Sequence, residues 1–351
     1  MDQSILNKRQ DIILKVLDQN KTAQIAELIG VIKKEYKTVS KITVNRDLNQ
    51  LIELNFISLK GAGRNSYYQL SDTYQLQKPL NIDEYFSKDI DQREIKERFD
   101  FKIFSTLKNI FTDKEEDLLD NLNKQYLKRI AKLPKDIIKK EFERLTIELS
   151  WKSSKIEGNT YSLLDTESLI KEGKESKGHT KEEAVMILNH KKTLDYIRNG
   201  LQHFKKISVK QIEEIHSILV NDLGVTKNIR NSLVGITGTR YKPLDNKFQI
   251  AEALQNTCDL INGTKNVFEK ALLALLMIAY VQPFSDGNKR TSRLTGNALL
   301  LANNACPLSY RSIDETEYKK AVLIFYEQNN ISNFKKLFIE QFYFVVNNYF
   351  L

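Results

Sequence analysis

Residues 281–293 read VQPFSDGNKRTSR, and this stretch decides what kind of fold the chain can have. It joins two apolar helical runs. Residues 270–280, KALLALLMIAY, precede it. Downstream, Leu294, Ala298, Leu299 and Leu301 recur at near-helical spacing, which predicts a second helix. Pro283 and Gly287 interrupt the pattern, so the second helix starts near Gly287 or Asn288. Lys289, Arg290 and Arg293 then fall in its first turns. Cations are mildly unfavourable there, because a helix N-terminus already carries partial positive charge. Beside a glycine loop with free N–H groups, they point to an anionic partner such as phosphate. Asp286 sits inside the cationic cluster, suited to hold Mg²⁺ against phosphate oxygens. Spacing alone leaves a second reading open, a helix start with surface charges.

The stretch resembles the signature of Fic-domain proteins, His-Pro-Phe-x-Asp/Glu-Gly-Asn-Gly-Arg-x-x-Arg. Pro283, Phe284, Asp286, Gly287, Asn288, Arg290 and Arg293 match it. Lys289 replaces the usual Gly, as in the related Doc-type sequences, and Gln282 stands where the family has its catalytic His. The resemblance implies a mostly α protein with a Fic-type helical core and a β-hairpin flap over the site. It implies ATP with its phosphates over the Gly287 loop, bound through Phe284, Gly287, Asn288, Lys289, Arg290 and Arg293. Asp286 would hold Mg²⁺, and Gln282, Asp286 and Arg290 would occupy the catalytic positions. A protein Ser, Thr or Tyr hydroxyl would attack the α-phosphate and receive AMP.

The chain has 351 residues, 41% apolar and 28% charged, with five prolines and thirteen glycines. So few helix breakers among Leu, Ile, Lys and Glu predict a mostly helical protein. The formal net charge of +9 favours anionic partners, nucleotide or nucleic acid, without choosing between them. Cys258 and Cys306 have neither metal-ligand nor redox spacing and are expected reduced and buried. The opening MDQSILNKRQ lacks a signal-peptide core, and the longest apolar run, 271–281, is too short to span a bilayer. A cytoplasmic protein without a membrane partner is expected.

Residues 4–19 predict an amphipathic helix with Ile5, Ile12, Ile13, Val16 and Leu17 inward, and 22–32 a second helix. A third starts at Ser40 or Lys41 with Val44, Leu48, Leu51 and Ile52 on one face. Its other face carries Lys41, Thr43, Asn45, Arg46, Asn49 and Gln50, which suit phosphates and base edges. Two short strands, 57–60 and 66–70, flank the Gly61-Ala62-Gly63 turn. Three helices and a hairpin make the winged helix-turn-helix plan. Residues 1–75 resemble DeoR-type DNA-binding domains at Ser40, Thr43, Arg46, Asp47, Leu48, Leu51 and Gly61. Lys41 and Arg46 on the third helix, with Lys60 and Arg64 on the wing, would contact DNA; a module for protein contacts or dimerisation is the alternative.

Residues 76–112 are expected to be a linker with docking points at Asp83, Tyr85 and Phe86, and 113–351 the Fic domain. A charged helix pair broken at Pro134 leads into LTIELSWKSSKIEGNTYS. The helix over about 140–158 should stop at Gly158, leaving Glu157 at a C-terminus where negative charge is unfavourable. Ser153-x-x-x-Glu157-Gly158 resembles the inhibitory motif of Fic proteins, whose Glu pairs with the second signature Arg, here Arg293, and keeps the ATP γ-phosphate from its productive position. Helices are expected at 164–171, 181–199 and 208–222; His179 and His190 lack metal-pair spacing. Residues 230–243, RNSLVGITGTRYKP, predict the hairpin flap, with Leu233, Val234, Gly235 and Ile236 as the edge for a target segment. Two helices follow, 313–326 and the aromatic-rich 333–349, expected to dock on the core, with a homodimer surface as the alternative.

Gln cannot accept a proton near neutrality, although its amide can orient a hydroxyl. Three functions stay open on the sequence: a slow, autoinhibited protein adenylyltransferase, a catalytically silent nucleotide-binding domain regulating a DNA reader, and a Doc-like kinase.

Overall fold

The computed structural model describes residues 6–71 and 73–351. The expectations for Ile5 and for the Arg64 side chain lie outside the described residues. Asn7 caps α1 (Lys8–Asn20), and Gln10 bonds back to the Asn7 N–H, a reciprocal box that fixes the helix start. The helix expected over 22–32 is instead a short strand β1 (Thr22–Ala23) and then α2 (Ile25–Glu35). Lys21 takes φ 67° and ends α1. Thr22 and Ala23 then pair with Gln69 and Tyr68, an edge that the hairpin alone would leave open. Ser40 caps α3 (Lys41–Glu53), and β2 (Ile57–Lys60) and β3 (Tyr67–Leu70) complete an antiparallel sheet of order β1-β3-β2. Ile13, Leu17, Ile32, Val44, Leu48 and Leu51 are fully buried between the three helices and the sheet. Asp47 is buried beside them and accepts from Arg9 at 2.7 Å and Asn7 at 2.9 Å, tying α3 to the start of α1.

The segment expected as a linker is packed structure. It holds α4 (Tyr74–Gln77), α5 (Ile82–Phe86) and α6 (Ile103–Thr106). Leu76, Ile103, Leu107, Ile110 and Phe111 are buried in the large core. Ile103, Leu107, Ile110 and Phe111 recur at near-helical spacing, but Leu76 stands alone, and the polar residues between it and Ile103 dominate the composition. Those polar residues are themselves partnered: Tyr85 donates to Glu327 at 2.6 Å, and Lys320 reaches Asp83 at 3.3 Å.

The helical body runs α7 (Asp113–Ile130), α8 (Lys135–Ile156), α9 (Leu163–Glu172), α10 (Lys181–Asn199), α11 (Val209–Leu219), α12 (Lys247–Gly263), α13 (Val267–Val281), α14 (Asn288–Ala302), α15 (Glu315–Gln328) and α16 (Ser332–Asn348). Thr112, Ser162 and Thr180 open three of them with capping boxes. α13 is apolar on every side because every residue from 271 to 281 is buried: it runs through the middle of the body, against α12 on one side and α14 on the other. Phe334, Phe338 and Phe342 of α16 enter the same core, while Tyr343 is exposed. Both cysteines are free and buried. Among the described residues no helix is long and apolar enough to cross a membrane.

The hairpin expected over 230–243 does not form. This stretch is irregular, with a single parallel bridge between Lys242 and Arg98. Its backbone groups are drawn to other partners. The Arg230 N–H donates to the Pro283 carbonyl and the Lys242 N–H to the Glu97 carbonyl, while the Ser232 carbonyl accepts from the Arg230 guanidinium and the Gly238 carbonyl from Arg93. A ladder within the segment would have to break those bonds.

Candidate active site

The signature loop begins where α13 stops. Gln282 caps that helix in the left-handed region at φ 50°, and Pro283 cannot continue the helix. Gly287 opens α14 at φ 81°. A Cβ there would lie 3.1 Å from Val220, so both conformation and space select glycine. Asn288 braces the loop from within. Its amide donates to the Gln282 side-chain oxygen (2.9 Å) and the Phe284 carbonyl (2.8 Å), and its oxygen accepts the Phe284 N–H. Asn288 was expected to hold phosphate oxygens; its side chain is committed to shaping the loop that would do so.

Phe284, expected against the nucleotide, is fully buried beneath the loop and stacks on His216 with ring centroids 3.6 Å apart. Its apolar ring anchors the loop to α11. No motif in the sequence marks His216. Burial, opposed by the carbonyls of Asp286 and Lys227, lowers its pKa to about 4, so it is neutral at pH 7. With one N–H to give, the shorter contact assigns that proton to Nε2, 3.0 Å from the Asp286 carbonyl. The signal available was its place on the apolar stripe of α11 with Ile212, Ile215 and Leu219.

The three cations diverge. Lys289 keeps partial exposure and meets Glu157 at 3.2 Å. Arg290 is 2% exposed and bonds Asp286 at 3.1 Å. Arg293 is fully buried. It donates through Nε to the Ser153 hydroxyl (2.9 Å), and through Nη2 to the Ser153 carbonyl (2.9 Å) and Glu157 (2.8 Å). The last turn of α8 thus delivers Ser153 and Glu157 to the first turns of α14, and Gly158 at φ 100° turns the chain away. Burial alone would raise the Glu157 pKa, but Arg293 and then Lys289 hold it down at about 2. The carboxylate is therefore charged at every physiological pH.

Gln282 is tied at both ends of its amide. Nε2 donates to the Ala279 carbonyl at 2.6 Å and lies 3.3 Å from the Tyr326 hydroxyl, while Oε1 accepts from Asn288. One lone pair of Oε1 remains for a further donor.

These groups meet in a cleft of ≈ 410 Å³. Gln282, Asp286, Gly287, Lys289 and Arg290 form its floor, Glu157 and Ile156 one wall, and Val234, Gly235, Ile236 and Thr237 a rim. α15 contributes Lys319, Val322, Leu323 and Tyr326, none of them singled out from the sequence. Leu233 is 78% exposed and lies outside the lining. Among the described residues Arg290 Nη1 and Arg293 Nη1 are buried with no hydrogen-bond partner, and Arg290 lines the cleft, as a site that receives anionic oxygens would have it. The first N–H groups of α14 add donors at the same end. Among the described residues no group of three or more His, Cys, Asp or Glu could hold a metal alone. Asp286, with its side chain 67% exposed at the cleft, fits a Mg²⁺ ion that takes its remaining ligands from phosphate and water.

Comparison with known proteins agrees with this architecture. Residues 206–300 match the family model described as Fic/DOC. The chain is 25% identical over 169 residues to "Protein adenylyltransferase fic-1" of Caenorhabditis elegans, covering 46% of this chain and 33% of that protein. It is 30% identical over 172 residues to "Protein adenylyltransferase Fic" of Aedes aegypti, covering 47% and 34%. The chain thus spans about a third of the length of these two relatives. Among solved structures, it resembles Fic-1 (residues 134–508) from C. elegans with a TM-score of 0.57 and 19% identity, over 67% of this chain and 70% of that one. It resembles a Fic domain containing signaling protein from Bacteroides thetaiotaomicron equally, at 0.57 and 19%, over 66% and 94%. The loop sequence, the helices that carry it and these likenesses agree: residues 206–300 of this chain match the Fic/DOC family.

Proposed function

We propose that the chain is a protein adenylyltransferase, restrained by its own α8, that moves AMP from ATP to a hydroxyl of a protein. The observation that carries the reading is the Glu157 carboxylate standing on Arg293 and Lys289 at the edge of the cleft, beside two unpartnered guanidinium nitrogens. A carboxylate held this way mimics a phosphate group and competes with one. When Glu157 gives way, Lys289, Arg290 and Arg293 receive phosphate oxygens. Asp286, released from Arg290, would hold Mg²⁺, which supplies charge neutralisation along the phosphate chain. The target hydroxyl oxygen bonds to the α-phosphorus, the bond from that phosphorus to the bridging oxygen breaks, and pyrophosphate leaves. Positioning and charge neutralisation carry most of such a transfer. The hydroxyl proton has no side-chain base in the family's usual place; the free lone pair of Gln282 can only accept a hydrogen bond from it, so the proton passes to water or to an oxygen of the departing pyrophosphate. Losing a general base costs about 10²–10⁴-fold. Residues 233–237 would present the target segment at the rim, as irregular chain.

The bonding of Gln282 favours a second reading of the same cleft, a domain that binds nucleotide and does not turn it over. The N-terminal domain would then be the output. Lys41, Arg46 and Lys60 are exposed on α3 and β2, as a DNA-binding face requires. ATP labelled at the α- or the γ-phosphate separates the readings. Protein-bound α-label supports adenylyl transfer, γ-label a Doc-like kinase, and tight binding without transfer the silent domain.

A further inference from the structure

The stretch that follows α5 wraps the outside of the cleft, and one buried residue joins its two sides. Arg93 is 5% exposed. Its Nη2 donates to the Gly238 carbonyl at 2.7 Å, on the segment that forms the cleft rim. Its Nη1 lies 3.4 Å from Glu327 Oε1, a fully buried carboxylate on α15 next to Tyr326, which lines the cleft. The guanidinium also covers the Phe86 ring at 4.9 Å. Around it the backbone is stitched on both sides. The Lys96 N–H donates to the Glu327 carbonyl and the Lys242 N–H to the Glu97 carbonyl, both at 2.8 Å. Arg240 donates back to the Arg93 carbonyl at 3.2 Å and faces Glu97 at 3.6 Å. Residues 93–98 therefore bind the segment along 238–242, and none of these bonds reaches 233–237 at the mouth, where Ile236 packs against the core.

We propose that Arg93 is a positioning residue for the target-presenting segment: it fixes Gly238 to the helix that lines the cleft, and so sets where residues 233–237 stand over the attack site. Its consequence for target modification rests on the adenylyl-transfer reading; its effect on the segment does not.

Trypsin supplies the readout. The Arg240–Tyr241 bond lies in the segment and is cleavable, whereas Pro243 protects the bond after Lys242. Arg93→Ala would strand the buried Glu327 charge and threaten the fold, so two other variants are used in the full chain. Arg93→Met with Glu327→Gln removes both charges together. Arg93→Lys keeps the charge facing Glu327 but cannot span both partners. In both, cleavage after Arg240 is expected to accelerate at least about tenfold, as local opening becomes easier. Cleavage elsewhere should change little, and Mg·ATP affinity in a Glu157→Gly background should stay within about twofold, since no nucleotide contact is touched. Unchanged cleavage after Arg240, full protection in Arg93→Lys, or equal acceleration at all sites would each overturn the proposal. In the Glu157→Gly, Gln282→His background, Arg93→Lys should lower self-labelling by α-labelled ATP with nucleotide affinity held. If that background never labels itself, the transfer reading fails, and the trypsin pattern still decides the role of Arg93.

Discussion

Glu157 concentrates the electrostatics of the site in one carboxylate. Its pKa falls from 4.5 to about 2, so the stability it contributes is present above the unfolded value and is lost as pH falls from about 4.5 towards 2. Glu157→Gln should flatten the acid limb of the stability curve in that window; an unchanged acid midpoint would count against the pairing. Glu157→Gly leaves Arg293 and Lys289 without their carboxylate. The variant should lose about 1–3 kcal/mol, below the usual cost of breaking a buried pair because Glu157 keeps some contact with solvent. Mg·ATP should restore that loss, bind at least about tenfold tighter than to the parent chain by calorimetry, and raise the melting temperature with ligand concentration. Equal affinities would remove the restraint from α8. At Gln282 the expectation concerns rate. Gln282→His in the Glu157→Gly background should raise AMP transfer at least about tenfold, the low side of what a general base supplies. That rate should climb with pH through about 6.5 as the imidazole loses its proton. Asp286→Ala in the same background should abolish transfer. A Gln protein that already transfers AMP well would mean that the remaining lone pair of Gln282 suffices.

The α13–loop–α14 element was legible in the sequence because its devices are local. The apolar run, Pro283, Gly287 and the clustered cations each report on neighbours a few residues away. Helix electrostatics marks Glu157 and Arg293 each as misplaced, but their pairing across more than a hundred residues is legible only through the resemblance to the inhibitory motif. What stayed hidden is supplied from elsewhere in the chain. His216 braces the Asp286 carbonyl from α11, and nothing near it in sequence marks that role. Phe284 and Asn288 were given to the nucleotide, but they hold the loop's own shape, and sequence does not say on which side of a loop a side chain lies. Segment 230–243 has the composition of a hairpin; Pro283, Glu97 and Arg93 take backbone groups that a hairpin would need. Gly287→Ala tests the loop as an element. The positive φ costs about 1–2 kcal/mol for a side chain, and the added methyl meets Val220 and His216. Thermal stability and Mg·ATP affinity should both fall, and adding Val220→Ala should recover only the steric part. Recovery to the parent values would show that backbone conformation is not what selects glycine there.

Across the whole molecule, the N-terminal unit and the helical body keep separate cores, and the segment once expected to be a linker is embedded in the larger one. Its one periodic set, Ile103, Leu107, Ile110 and Phe111, closes a stretch whose polar composition concealed it. If the exposed face of α3 and β2 reads DNA, the full chain should bind duplex DNA with an affinity that falls steeply with salt. Lys41→Ala, Arg46→Ala and Lys60→Ala together should weaken binding to all sequences and flatten the salt slope by up to about 2–3. Binding insensitive to salt, or unchanged in the triple variant, would make the N-terminal unit a module for protein contacts.

Lys335 on α16 donates to the Gln77 side chain (3.0 Å), the Ile110 carbonyl (3.1 Å) and Glu115 (2.8 Å), and Phe338 meets Phe111 with centroids 6.0 Å apart. The partners of this ammonium leave the ribosome more than two hundred residues before it does. Residues 73–112 therefore complete their packing only once α16 has been translated. Such distant closure slows folding. It also makes the nascent chain a client for chaperones over most of its synthesis, and makes loss of α16 a lesion felt at the other end of the fold.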